Sequence, residues 1–318
     1  MTFANRVGFA IGTGRCGTLF LHQLMEKEPD IASSHERNPE NEAFHRYCKW
    51  HRLPVDDEGF LATKEKEILA DLELHPYSFE ASPYLALSVK ELYARFGARF
   101  LFLIRRPDGV VTSFVHKGFY RKPYSVKDLE LAAGYQDQSP EHFFTYFARI
   151  SPRGSFFRTW NGMTQVGKVA WFWKAYNERA LEAIEELPRE SYRVVRIEDL
   201  DYPKYRELSQ FLGFNTKVTQ VDFDDLRLSR PHAFWRKRSV DQWTGQEMHE
   251  FESQVAGLAE RFGYQHRRTN LIEEARAERA ESMRLGRIPQ PKRGLRFWRL
   301  RRATSEWLRA VARSVDVS

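Results

Sequence analysis

Short apolar runs alternate along the chain with longer stretches whose apolar residues recur at helical spacing. Five runs read as strands: Val7–Ile11, Ile31–Ser34, Tyr77–Ala81, Phe100–Ile104 and Tyr192–Ile197. The stretches between them predict helices over Thr18–Lys27, Ser88–Phe96, Asp108–Lys117, Lys168–Glu186, Lys204–Leu212 and Glu247–Phe262. Strands that alternate with helices pair in parallel, so the expected fold is α/β, a central parallel sheet flanked by helices. From Phe119 to Trp160 the periodicity weakens and 11 of 42 positions are aromatic, against 14% for the whole chain. Such a segment between core elements predicts a lid or pocket wall. Past Tyr264 the pattern becomes charged and helical, broken at Pro289 and Pro291. The expected organisation is one domain over residues 1–265 and a basic helical arm over residues 266–318.

Charge sharpens that boundary. The chain carries 50 Lys+Arg and 43 Asp+Glu, a net of +7. Residues 266–318 hold 14 basic and 6 acidic side chains, a net of +8, so the rest of the chain sits at −1. A nucleic-acid binder is expected to carry its positive stripe on the folded body, so no nucleic-acid partner is predicted. Within the arm, Phe297, Leu300, Thr304, Leu308, Val311 and Val315 share one helical face. That stripe suits docking on the body, a homodimer contact or the periphery of an anionic membrane. No run of 18 apolar residues and no leader pattern precede the first strand, and the two cysteines, Cys16 and Cys48, form no CxxC pair. A cytoplasmic protein without a metal or disulfide framework is the expectation.

Candidate chemistry begins at the end of the first strand, where Gly12-Thr13-Gly14-Arg15-Cys16-Gly17-Thr18 opens the first helix. A glycine-rich turn at a helix N-terminus directs backbone N–H groups and the positive end of the helix dipole at one anion. Gly12 and Gly17 keep the spacing of an ATP-binding P-loop, but Thr18 occupies the position of its lysine and Leu19 that of its metal-holding Ser or Thr. The cation, Arg15, lies inside the loop instead. A second block, Phe100 to Asp108, is an apolar strand ending in Arg105-Arg106-Pro107, with Ser113 eight residues after Arg105 on the next helix. Ligands of open parallel sheets bind at strand carboxyl ends, which is where Arg105 falls.

Together these blocks resemble the sulfotransferases that use 3′-phosphoadenosine 5′-phosphosulfate as donor. Further similarity follows in order: Phe79-Glu80-Ala81-Ser82-Pro83-Tyr84, Trp171 to Asn177, Val195-Arg196-Ile197-Glu198-Asp199-Leu200, and Arg236-Lys237-Arg238-Ser239-Val240-Asp241-Gln242-Trp243. The resemblance spans roughly residues 5 to 264. It implies that Gly14, Arg15, Cys16, Gly17 and Thr18 bind the 5′-phosphosulfate, that Arg105 and Ser113 bind the 3′-phosphate, and that Arg236, Lys237 and Arg238 close over the nucleotide. The co-substrate would be this donor, with no metal required, and the partner a hydroxyl-bearing acceptor such as a carbohydrate, lipid or small alcohol or phenol. Many members carry Lys where this chain has Arg15, and Lys where it has Ala81.

The resemblance also implies a catalytic carboxylate after the second strand, where Ser33-Ser34-His35-Glu36-Arg37-Asn38 follows Pro29-Asp30-Ile31. Glu36 is the expected base and, with Arg15, the expected catalytic pair. His35 is the neighbouring competitor and Glu80 the second carboxylate at a strand end. An ion pair between Glu36 and Arg37 is the plainer alternative. His116 and Lys117 read as a solvated helix face, Trp171 and Trp173 as core, and Trp243 as a candidate cover for adenine. Glu198 and Asp199 read as groups that orient a loop. Two other classes remain open from the residues: a P-loop small-molecule kinase, and a non-catalytic module that binds a membrane or partner through the arm.

Overall fold

The computed structural model describes residues 3, 5–121, 149–229, 238 and 240–284. In chain order the elements are β1 (Val7–Gly12), α1 (Thr18–Met25), β2 (Ile31–His35), α2 (Pro39–His51), α3 (Asp57–Leu74), β3 (Tyr77–Ala81), α4 (Val89–Phe96), β4 (Arg99–Ile104), α5 (Pro107–His116), α6 (Phe156–Gly162), α7 (Gln165–Glu185), β5 (Tyr192–Arg196), α8 (Tyr202–Leu212), α9 (Gln220–Ser229), α10 (Gly245–Arg261) and α11 (Arg268–Arg284). The five strands form one all-parallel sheet in the order β2-β3-β1-β4-β5. All five lie where the apolar runs predicted them, within a residue or two.

Side-chain alternation splits the sheet between two cores. Phe9 and Ile11 of β1 and Phe100, Phe102 and Ile104 of β4 pack on one face with residues of α4, α5, α7 and α10. Ala10, Leu101, Leu103, Phe79 and Ala81 face the other core with residues of α1, α8 and α9. Burial on both faces is why β1 and β4 read as continuous apolar runs. Chain connections leave β1 towards β2 and β4 towards β5, in opposite directions from adjacent strands. The carboxyl ends of β1 and β4 therefore flank a topological switch point, the usual ligand crevice of open α/β sheets.

Helices α2, α3, α6 and α9 lie outside the elements expected from periodicity, while α11 falls in the stretch expected to be a helical arm. Pro39 starts α2 at its first turn, and the Asp56 carboxylate caps α3 by accepting from Gly59 N at 2.9 Å. Both helices are dense in charge, and Lys64, Glu42 and Arg46 are nonetheless buried. The aromatic segment from Phe119 to Trp160 is described only at its two ends. Tyr120, Phe157 and Trp160 are buried in the larger core, Phe156 is exposed, and residues 122–148 of the expected lid lie outside the described residues. Trp171 and Trp173 pack in the same core, as does Trp243, whose ring is tilted against Phe251 with centroids 5.1 Å apart.

The chain divides into two compact units, residues 1–273 and 274–318. Helix α11 runs from the first into the second. The apolar stripe from Phe297 to Val315 lies outside the described residues. No described helix is long and apolar enough to cross a membrane.

Candidate active site

The loop from Gly12 to Thr18 is shaped by left-handed backbone. Gly14 has φ 78°, Gly17 has φ 107°, and Arg15, without glycine's freedom, has φ 57°. Successive N–H groups in such turns converge on one side, which makes an anion-binding nest. Gly17 is the N-cap of α1 and no side chain caps the helix, so its first N–H groups stay available to a ligand. A Cβ on Gly17 would stand 2.5 Å from Ile197 Cδ1. We therefore expect Gly17→Ala to destabilise the fold by about 1–2 kcal/mol, the cost of left-handed backbone for an alanine. Urea denaturation checks this; an unchanged midpoint would mean that the turn accommodates the methyl group without strain.

Folding brings the first and second sequence blocks together at the switch point. Arg15 Nε donates to Ser113 Oγ at 2.8 Å, and Arg105 Nη1 donates to the Arg15 carbonyl at 3.0 Å. Ser113 is fully buried on α5 and leans on Arg15, not directly on Arg105. Arg105 is set by its own backbone, since Trp173 Nε1 donates to the Arg105 carbonyl at 3.0 Å. Its side chain also lies over Gly109, where a Cβ would meet Arg105 Nε at 3.1 Å. Among the described residues, no carboxylate lies within ion-pair distance of either guanidinium. Burial, and next the charge of Arg105, lower the pKa of Arg15. Two neighbouring guanidiniums with no carboxylate in ion-pair contact, the nearest opposing charge on Arg15 being Glu36, make this a candidate anion site.

Cys16 contributes no side chain to this cradle. It is wholly buried among Ala10, Leu101 and Leu103, and burial pushes its thiol pKa up. Thr18 is also buried, with Oγ1 3.2 Å from His35 Nε2.

Glu36 lies just past the carboxyl end of β2, also in left-handed backbone at φ 50°. The expected competitor for its charge is engaged elsewhere. Arg37 donates from Nη2 to Asp71 at 2.6 Å, from Nε to Ser34 Oγ at 3.0 Å and from Nη1 to the Glu67 carbonyl at 3.0 Å. The Glu36 carboxylate has His35 Nε2 at 3.9 Å. Burial, and then the nearby Glu42 charge, raise its pKa, while Lys117, Arg46 and Arg15 act in the opposite sense. Glu36 is thus a partly buried carboxylate of raised pKa that feels the charge of Arg15.

Glu80 belongs to a different structure. It is buried, receives two hydrogen bonds from Lys64 Nζ at 3.0 and 3.1 Å, and its pKa is pushed up by burial and next by Glu42. Sequence reasoning missed Lys64 and Glu42 altogether, because both sit in charge-dense helices that read as solvated. Glu198 does orient a loop, accepting from Arg106 N at 2.9 Å and from Tyr264 OH at 2.9 Å. In the basic block, Arg236 and Lys237 lie outside the described residues. Arg238 makes a bidentate pair with Glu247, both contacts 2.6 Å, and donates to the Gln242 carbonyl. Its guanidinium anchors the start of α10 and makes no described contact with Arg15 or Arg105. No cluster of three or more His, Cys, Asp or Glu side chains suited to a metal ion occurs among the described residues.

Neither a family model nor a curated sequence matches the chain. Among solved structures it is similar to sulfotransferase STF9 from Mycobacterium avium, at 11% identity and a TM-score of 0.49 over 83% of this chain and 78% of that one. It is also similar to the sulfotransferase domain from the curacin biosynthetic pathway, at 13% identity, TM-score 0.41, 83% of this chain and 99% of that one. A third is the sulfotransferase domain from the Synechococcus PCC 7002 olefin synthase, at 14% identity, TM-score 0.38, 68% of this chain and 76% of that one. Every TM-score lies below 0.5, and the functional reading rests on the site itself.

Proposed function

We propose that the protein is a sulfotransferase that moves a sulfuryl group from 3′-phosphoadenosine 5′-phosphosulfate to an acceptor hydroxyl. The observation that carries the reading is the convergence of Arg15, Ser113 and Arg105 on the switch point, two described-carboxylate-free guanidiniums beside a glycine nest. A donor with phosphate groups at two places on one nucleoside suits two separate cationic contacts. In this reading Arg15 and the backbone of Gly14, Cys16, Gly17 and Thr18 hold the 5′ end. Arg105, with Ser113 bracing Arg15 beside it, holds the 3′-phosphate, and Arg236 and Lys237 of the basic block add cationic contact, Arg238 being paired with Glu247.

Glu36 takes the acceptor's proton as the acceptor oxygen attacks sulfur in line. The new O–S bond forms while the bond from sulfur to the 5′-phosphate oxygen breaks, and that oxygen keeps the electron pair. Arg15 and the nest amides stabilise the charge gathering there, the electrostatic role that dominates transfers of this kind. Arg15 remains a cation throughout and supplies no proton.

A ligand-stabilisation measurement tests the reading. 3′-Phosphoadenosine 5′-phosphate at about a hundredfold its Kd is expected to stabilise the fold by about 2.7 kcal/mol, and ATP with Mg²⁺ to leave it unchanged. Stabilisation by ATP–Mg²⁺ alone would establish the kinase reading instead. Stabilisation by neither would leave a non-catalytic module. Labelled donor offered to glycans, lipids and phenols then identifies the acceptor.

A further inference from the structure

Three consecutive backbone N–H groups in the turn that carries Glu36 are pinned from below by the end of β3 and by two buried carboxylates. Glu36 N donates to the Ala81 carbonyl at 3.1 Å, Arg37 N to Glu80 Oε1 at 3.3 Å, and Asn38 N to Glu42 Oε1 at 3.1 Å. Those carboxylates are joined by Lys64, whose ammonium reaches Glu42 Oε1 at 2.5 Å and Glu80 Oε2 at 3.0 Å. Glu67 lies 2.9 Å from the same ammonium, and Ser82 Oγ donates to Glu42 Oε2 at 2.6 Å. The Lys64, Glu42 and Glu80 side chains are 1%, 0% and 4% exposed.

A cluster of this kind is costly as mere packing. Desolvating the charges offsets much of their attraction, and apolar side chains of similar volume serve a core as well or better. The carboxylates do something apolar groups cannot, which is to accept hydrogen bonds from the turn. The turn needs holding, because Glu36 is a non-glycine residue in left-handed backbone. We propose that Glu80 and Glu42, held as a pair by Lys64, are positioning residues that fix the Glu36 turn and so aim its carboxylate at the acceptor. This role rests on Glu36 being the base of the proposed sulfuryl transfer. Neither buried carboxylate touches the substrate, so the assignment excludes Glu80 as a base.

A residue that acts only through Glu36 loses its effect once Glu36 is disabled. Glu80→Ala is expected to lower kcat about 10–100-fold, the cost of misplacing a reacting group, and to leave 3′-phosphoadenosine 5′-phosphate affinity unchanged. Added to Glu36→Gln, it is expected to lower kcat no further. Amide hydrogen exchange at residues 36–38 is expected to be slow in the unmodified protein and to accelerate in Glu80→Ala. Equal losses in both backgrounds, or a parallel loss of nucleotide affinity, would reduce Glu80 to a structural role and overturn the proposal. If Glu80→Ala does not fold, exchange in the unmodified protein decides alone, and amides at 36–38 that exchange as freely as exposed loops overturn the clamp. Absence of nucleotide binding and sulfuryl transfer in the unmodified protein would instead refute the enzyme reading, and the exchange result would still stand.

Discussion

Glu36→Gln is expected to lower kcat about 10²–10⁴-fold and to leave the affinity for 3′-phosphoadenosine 5′-phosphate nearly unchanged. Glutamine keeps the shape and the hydrogen-bonding reach of the side chain but cannot accept the acceptor's proton. In the proposed reading the nucleotide contacts belong to the loop after β1 and to Arg105 just past β4, so they are left intact. A pH profile adds a second signature. The Glu36 carboxyl titrates above the ordinary carboxylate range, chiefly through burial. Activity in the unmodified protein should therefore rise with pH through that raised value as the base loses its proton, and Glu36→Gln should lack this acid limb. Stability runs the other way. A carboxyl whose folded pKa is raised takes up a proton on folding, so the unmodified fold loses stability as pH climbs from the unfolded towards the folded value. Glu36→Gln removes that loss, and the variant should be the more stable protein at neutral pH. Normal turnover by Glu36→Gln alongside an inactive His35→Ala would transfer the base to His35, which stands 3.2 Å from Thr18 and 3.9 Å from Glu36.

Arg105→Ala should weaken binding of 3′-phosphoadenosine 5′-phosphate by about 1.5–3 kcal/mol, the range for a lost charge-assisted hydrogen bond. The change reaches further than one contact, because Arg105 Nη1 also holds the Arg15 carbonyl. Adenosine 5′-phosphosulfate lacks the 3′-phosphate, and its binding should fall much less. Calorimetry with the two ligands separates the effects. Equal losses would mean that Arg105 acts by shaping the Arg15 loop, and no loss would remove it from the donor site.

Much of this site was legible because it is built from local sequence. A strand, glycines at Gly14 and Gly17, and a helix beginning at Thr18 are contiguous, and left-handed turns leave their mark as glycine. Arg105 could be placed at a strand end for the same reason, since an unbroken apolar run marks where β4 stops. The helices α2 and α3 were not legible. Their buried faces carry Glu42, Arg46 and Lys64, which a periodicity reading scores as solvent-facing.

Sequence alone determined the five strands, their parallel pairing with intervening helices, and the character of the loop after β1, because each depends on short-range patterning and on glycine's backbone freedom. Pairings across the fold had to wait for the tertiary structure. Arg15 meets Ser113 across 98 positions and Arg105 across 90. Arg37 is drawn to Asp71, across 34 positions, and so leaves the carboxylate beside it uncommitted. What separates Glu36 from Glu80 in the fold is burial and Lys64, 16 positions from Glu80 in sequence and in hydrogen-bond contact with it. Two carboxylates that look alike at strand ends have different surroundings, because Glu36 is partly exposed and feels the charge of Arg15 while Glu80 is shut into the core against an ammonium.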